Sequence, residues 1–387
     1  MKTITLLKKM PVVLPICMLV MACSNELIIE DISIAKWKDD KKAAFAITSA
    51  DGLIRSIKSQ WTPENPDVPY DGYYKLGKDH SIPITFFLIP RLQDDAAIND
   101  TSHVYFSSRM PPALEPGFGG TWEDWQFMSR QGHEMASHTY SHEDFRLGPD
   151  GKPVSPVDPH IDMTMAIESI EKNIGVKPIL VNFGLGRPAP KVLAVTRSYY
   201  PLHAGDVFGS EHVVNQVCKK ITRFEQLNNQ LEIALKNGKW LIFRSHGIGS
   251  ELGRLEEAAP DFLENGKRYD GFSPVKYEVL DSIFRVINNK RDSIYIDVFS
   301  NVYRYLSERE ESKIKVVKES QKEKIIQVNN QLDNEIYSIP LTLKITLSEG
   351  ATEPKVFQNG GKLNVIMKGN ALLFDVIPNT GDISIKI

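Results

Sequence analysis

Short continuous apolar runs alternate with longer amphipathic segments along most of this chain. Ala43-Ala44-Phe45-Ala46-Ile47-Thr48, Ile82 to Ile89, Pro178 to Phe183, Trp240-Leu241-Ile242-Phe243 and Ile294 to Phe299 predict buried strands. Apolar residues at helical spacing predict helices over Leu53 to Gln60, from Thr121 onward, over Met163 to Asn173 (stopped by Gly175) and over Pro190 to Tyr199. Further helices are predicted over Phe224 to Lys236, from Ser273 to about Asn288, and over Asn301 to Arg309. Thr121 is a candidate N-cap, with Asp124 three residues on, and Trp122 and Trp125 read as core or rim. Trp61 to Asp79 reads as a polar loop, and Pro90 to Gly120 as a long irregular insertion of a length that is usually functional. Strand–helix alternation this regular predicts a parallel α/β sheet or barrel, whose chemistry sits at strand ends.

After about Glu310 the texture changes. Lys313 to Val317, Glu323 to Val328, Leu341 to Leu347, Leu363 to Met367, Leu372 to Val376 and Ile383 to Ile387 are short alternating segments separated by Gly, Asn and Asp turns. They predict a small antiparallel, sandwich-like β module over residues 310–387, with a packing or spacing role.

At 387 residues the chain accommodates one large domain and one small one. A net charge of -3, with no basic block, argues against a nucleic-acid-binding surface. Lys2, Lys8 and Lys9 precede an apolar stretch from Met10 to Ala22 that is interrupted by Pro11 and Pro15 and is too short to span a membrane. This reads as a targeting segment over residues 1–22. Its end, Leu19-Val20-Met21-Ala22-Cys23, resembles a bacterial lipobox. That resemblance implies cleavage before Cys23, lipidation of its sulfur and amino group, and stable membrane attachment in the cell envelope, periplasmic or on the outer-membrane surface. Residues 23–40 are then a tether. With Cys17 removed and Cys23 lipidated, Cys218 stands alone and no intrachain disulfide is possible.

The chemistry concentrates at strand ends. In His138-Thr139-Tyr140-Ser141-His142 the four-residue spacing predicts two imidazoles on one side of a helical turn, delivered by a strand from Gly132 to Ser137. A bare pair of this kind is more often two exposed loop histidines. The other strand ends change that reading, because they carry Asp51, the Gly184–Gly186 turn and His246. One carboxylate and two imidazoles, with positions left for water, form the ligand set of a catalytic zinc-type site. His133 reads as a satisfied strand residue, and His80, His103 and His160 as loop residues.

From Lys41 to Arg309 the chain resembles the polysaccharide deacetylases, carbohydrate esterase family four. His138-Thr139-Tyr140-Ser141-His142 matches the family's H-[ST]-x-x-H motif, and Leu241-Ile242-Phe243-Arg244-Ser245-His246 matches its apolar strand ending in histidine. The resemblance implies a distorted (β/α) barrel with fewer than eight strands and removal of acetyl groups from N-acetyl sugars or acetylated polysaccharides. It implies a divalent metal, zinc with cobalt or nickel as alternatives, on Asp51, His138 and His142. His246 is then the general acid and the Leu185 amide an oxyanion donor, while Asp206 falls near the family's fourth motif.

Two motifs depart from the family. Thr48-Ser49-Ala50-Asp51-Gly52 stands where T-[FY]-D-D-G is usual, so the general-base position is Ala50. Asn182-Phe183-Gly184-Leu185-Gly186 stands where R-P-P-Y-G is usual, so Asn182 replaces the arginine that orients the base, and Arg187 lies just beyond. Two readings follow: a deacetylase slowed on the order of 10²–10⁴ by loss of its base, or a glycan-binding lipoprotein without turnover. A replacement base is sought in the Pro90–Gly120 insertion or at Glu134.

Overall fold

The computed structural model describes residues 29–61, 65–94, 118–205, 209, 211–217, 224–249, 275–348 and 353–386. The targeting segment, Cys23, Asp206, Cys218 and most of the long insertion lie outside the described residues. Among those described, no helix is long and apolar enough to cross a membrane.

The first strand, β1 (Ile29–Ile34), is followed by the strands of a parallel sheet: β2 (Ala43–Ser49), β3 (Ile84–Leu88), β4 (Glu134–Ser137), β5 (Leu180–Val181), β6 (Leu202–His203), β7 (Val213–Val217) and β8 (Trp240–Ser245). A two-residue pair, β9 (Ile248–Gly249) with β10 (Val275–Lys276), precedes β11 (Ile294–Ile296). The sheet order is β6-β5-β4-β3-β2-β8-β7, with β11 also on β2. β2 is shared: Ala43 to Phe45 pair with β11, Ile47 to Ser49 with β3, and β8 runs alongside from Ala44 to Ser49. The sheet therefore curls into an open half-barrel. It has eight strands where fewer were expected, although β5 and β6 contribute only two residues each.

β2 is buried along its whole length, which explains its unbroken apolar run. Phe45, Ile47, Phe86, Leu241 and Phe243 face a layer of helices that supplies Trp125, Leu231 and Phe284. On the opposite face the small Ala44, Ala46 and Ala136 admit the helix Phe299–Glu311, whose Tyr305 packs with Trp37 and Trp240. One helix lies inside the stretch read as a loop, Tyr73–His80. Tyr73, Leu76 and Gly77 are its buried positions, spaced i, i+3, i+4, and a Cβ on Gly77 would meet the Ile82 carbonyl at 2.8 Å.

The closing helix is fixed by the half-buried Glu134 carboxylate. Glu134 accepts hydrogen bonds from the Thr85 hydroxyl (2.7 Å) and the Ser300 amide (3.3 Å), and the Thr85 hydroxyl accepts from the Phe299 amide (2.8 Å). Burial pushes the Glu134 carboxyl up, opposed by these donors. Glu134 begins β4, so about 13 Å of strand separates it from His138. It is a structural anchor, and its expected role as a replacement base is withdrawn.

The C-terminal strands are β12 (Lys313–Glu319), β13 (Glu323–Asn329), β14 (Leu341–Leu347), β15 (Lys355–Gln358), β16 (Gly361–Lys362), β17 (Ile366–Lys368), β18 (Ala371–Val376) and β19 (Ile383–Lys386). They form two antiparallel sheets, β1-β14-β18-β17 and β12-β13-β19-β15-β16. Ile326, Val328, Ile383 and Ile385 of one pack with Leu343, Ile345, Leu372 and Phe374 of the other. β1 comes from the stretch read as a tether; it pairs with β14, Ile34 opposite Leu343.

Glu134→Ala leaves the Ser300 amide and the Thr85 hydroxyl short of an acceptor, and is expected to cost about 2–3 kcal/mol of stability. Glu134→Gln keeps one acceptor oxygen and should cost about 1 kcal/mol. Denaturant unfolding monitored by circular dichroism measures both; equal losses would contradict the anchoring role.

Candidate metal centre

The chain leaves β2 at Ser49 and turns at once. Asp51 (φ 72) and Gly52 (φ 60) are both left-handed, a conformation that aspartate tolerates better than most residues and glycine adopts freely. At Gly52 the requirement is also steric, since a Cβ would sit 2.9 Å from the Leu88 side chain and 3.2 Å from its Cα.

The histidine pair does not occupy a helical turn. Residues 138–142 form a loop, with Thr139 (φ 66) and His142 (φ 57) left-handed. The loop is held by Asp162, from the helix Pro159–Ile174, whose carboxylate accepts from the Tyr140 amide (2.9 Å), the Ser141 amide (3.1 Å) and the Ser141 hydroxyl. The Thr139 hydroxyl accepts from the His142 amide at 3.0 Å. These bonds outcompete helix formation and still bring the two rings to 4.9 Å between centroids. The sequence reading passed over Asp162; its signal is a carboxylate early in a helix that begins at the capped Asp158-Pro159 pair.

His138 Nε2 lies 3.3 Å and His142 Nε2 3.8 Å from Asp51 Oδ1. One ligand atom from each of the three buried residues falls within 4.8 Å of the others. His138 Nδ1 is 2.9 Å from the Asn182 carbonyl oxygen. A carbonyl only accepts, so Nδ1 carries a proton and Nε2 is the atom turned toward the Asp51 carboxylate, where a proton or a metal cation would join the two. Among the described residues neither His138 Nε2 nor Asp51 Oδ2 has a hydrogen-bond partner. Two orphaned buried polar atoms beside a third imidazole fit a divalent cation.

The electrostatics agree with that fit. Burial pushes the Asp51 carboxyl up, but the His138 contact and the fields of His246, His142 and His138 outweigh it and hold the group well below the usual carboxylate range. Burial, reinforced by His138, lowers His142 to about 4, so its imidazole is neutral near pH 7.

The Asn182–Gly186 turn supports the pair through its main chain. Asn182 donates its amide to the Ser137 carbonyl (2.9 Å) and offers its own carbonyl to His138. A Cβ on Gly184 would lie 1.7 Å from His142 Nε2, so only glycine leaves that nitrogen accessible. The Leu185 amide makes no backbone hydrogen bond among the described residues.

β8 delivers His246, whose carbonyl accepts from the Ser49 hydroxyl at 2.5 Å and whose ring is felt by both Asp51 and His142. Ala50 is buried between these groups in sequence, its amide bonded to the Ser245 carbonyl at 2.9 Å. Two carboxylates stand near the loop: Asp94 accepts from the Tyr140 phenol at 2.7 Å, and Asp144, paired with Arg146 at 2.6 Å, acts on His142. Arg187 is exposed, at the rim of a groove described below. His133, expected in a strand, instead immediately precedes β4; it accepts from the Ile84 amide at 3.1 Å, and burial lowers it to about 4.

Gly184→Ala is expected to leave the fold intact and to lower bound metal at least tenfold, read as metal content after dialysis; retained stoichiometry would contradict the contact with His142. His142 and His133 stay neutral down to about pH 4 when folded, whereas an unfolded histidine protonates near 6.5. Their unfolded forms therefore bind more protons between those values, and the two histidines contribute a loss of stability as pH drops from about 6.5 to about 4. Burial raises Glu308 to about 7 and pushes Glu134 and Asp162 up, which acts in the opposite direction over the same window. Melting temperature against pH in chelator, compared with His133→Gln, isolates one histidine: wild type should lose more stability than the variant over that window, and parallel profiles would refute it.

The chain is 20% identical over 378 residues, 92% of its length, to a gellan lyase from a Bacillus species, and spans only 13% of that relative. A Mycobacterium smegmatis structure assigned to the polysaccharide deacetylases aligns with 73% of this chain and 96% of its own, at 14% identity and TM-score 0.39. A family 4 acetyl xylan esterase from Clostridium thermocellum, solved with cobalt, aligns with 66% of this chain and 99% of its own, at 13% identity and TM-score 0.31. Residues 64–200 match the polysaccharide deacetylase family. That span carries both histidines of the pair and the turn that braces them, so the likeness to the polysaccharide deacetylase family falls on the part of the chain that supplies two of the three candidate metal ligands.

Proposed function

We propose that this protein removes acetyl groups from a carbohydrate in a metal-dependent hydrolysis. The observation that carries the proposal is the convergence of Asp51, His138 and His142, with unpartnered buried polar atoms on the first two. When bound there, a divalent ion would supply Lewis acidity toward an acetyl carbonyl and toward water; zinc suits the one-carboxylate, two-imidazole set, with cobalt or nickel as alternatives.

The chain's own residues divide the remaining work. The Asn182 carbonyl accepts the His138 Nδ1 proton, which turns Nε2 toward Asp51, and burial keeps His142 neutral near pH 7. The Leu185 N–H is the donor proposed for the developing oxyanion. His246 delivers a proton to the departing amine or alkoxide as the acetyl–sugar bond breaks. Ala50 holds no proton. Its methyl removes the base that the family motif provides, and Asp94 and Asp144 are the nearby carboxylates from which a substitute would come.

Ala50 also favours a second reading, a glycan-binding protein that turns over little or no substrate. Acetate release from chito-oligosaccharides, acetylxylan and peptidoglycan fragments, with zinc or cobalt added, separates the two. Activity that His246→Ala lowers by 10²-fold or more supports the enzyme; a silent wild type made active by Ala50→Asp supports the binding protein. Membrane attachment through Cys23 belongs to the same proposal, and incorporation of labelled palmitate into wild type but not Cys23→Ser tests it.

A further inference from the structure

Beside the metal centre the structure has a groove of about 430 Å³, lined by Leu147, Pro188, Pro190 and Leu193 together with Arg187 and Arg197. Two features set it apart from an ordinary surface hollow. Among the described residues both charged groups lining it are cations, and no carboxylate lines it. Arg187 makes no hydrogen bond or ion pair with any described residue, while neighbouring Arg146 is already committed to Asp144. The walls are apolar, and they include Leu147, a large side chain left 56% exposed.

The groove's position gives it a use. Gly184 touches the His142 ring, and Arg187 is three residues further along an exposed turn, so its Cα lies within about 11 Å of that of Gly184. Leu185, the proposed oxyanion donor, sits between them. A polysaccharide held with one acetylated unit at the metal would therefore carry its neighbouring units toward the groove. A planar guanidinium pairs bidentately with a carboxylate, and apolar walls suit the C–H faces of a sugar ring. We infer that the groove is a subsite for the ring carboxylate of an acidic sugar, and that the substrate is an anionic polysaccharide bearing uronate units. The placement rests on the deacetylase reading; the binding chemistry does not.

The test uses the full chain in chelator, so that a carboxylate cannot bind through metal. Calorimetric titration with tetragalacturonate is compared with its carboxyl-reduced, neutral counterpart. Wild type is expected to bind the acidic form and to bind the neutral form at least tenfold more weakly, with affinity falling as salt rises. Arg187→Ala and Arg197→Ala, both at exposed positions, should each weaken binding about tenfold, with unchanged melting temperatures, and Arg187→Lys should fall between. Equal affinity for both oligosaccharides, or variants that bind like wild type, overturns the subsite. Arginine-dependent binding in a protein that releases no acetate leaves the subsite standing and removes the deacetylase; acetate release without acidic-sugar binding does the reverse.

Discussion

A buried carboxylate oxygen and a buried ring nitrogen, Asp51 Oδ1 and His138 Nε2, are held 3.3 Å apart. Everything at the strand ends bears on that contact. Water does not screen it, and the Asn182 carbonyl accepts the Nδ1 proton on the far side of the ring, which leaves Nε2 turned toward the carboxylate. An arrangement of this kind suits a cation, proton or metal, between its members. His142, neutral and close to both, completes the demand.

The surrounding fold enforces this geometry largely with backbone. Left-handed residues at 51, 52, 139 and 142 end the strands sharply. Main-chain groups of Asn182 and Ser137 tie β5 to β4 beneath His138, and Gly184 approaches His142 too closely for any side chain. This explains how Asn182 can replace an arginine without disturbing the pair, because its contribution to His138 passes through its carbonyl. Asp162 is the exception, a side chain from a distant helix that replaces helical hydrogen bonds within the histidine loop with its own.

The same construction keeps the three candidate metal ligands independent of the side chain at position 50. Ala50 precedes Asp51 directly, yet its loss of a carboxylate leaves Asp51, its turn and its partners in place. Any hydrolysis then depends on groups outside the family motif or on the acidity that a bound cation confers. Arg187 and the apolar groove beside it lie on the exposed end of the bracing turn, apart from the three candidate metal ligands.

Local sequence determined the buried strands, because their apolar runs have no other place to go: β2, β3, β8 and the alternating strands β14 and β18 appear close to where periodicity puts them. It also set the ligand types, since Asp51 and the two histidines fall at strand ends. Tertiary structure decided the rest. The four-residue histidine spacing reads as a helical turn until Asp162, twenty residues away in the chain, supplies a competing acceptor. The Tyr73–His80 helix reads as a loop because so short an element is stabilised by what it packs against, and β1 reads as a tether because its partner strand lies some three hundred residues on. Glu134 looked available for proton transfer only while its partners Thr85 and Ser300 were unknown. In each case the deciding contact joins residues far apart in the chain, and a period read along one segment contains no information about what that segment will meet.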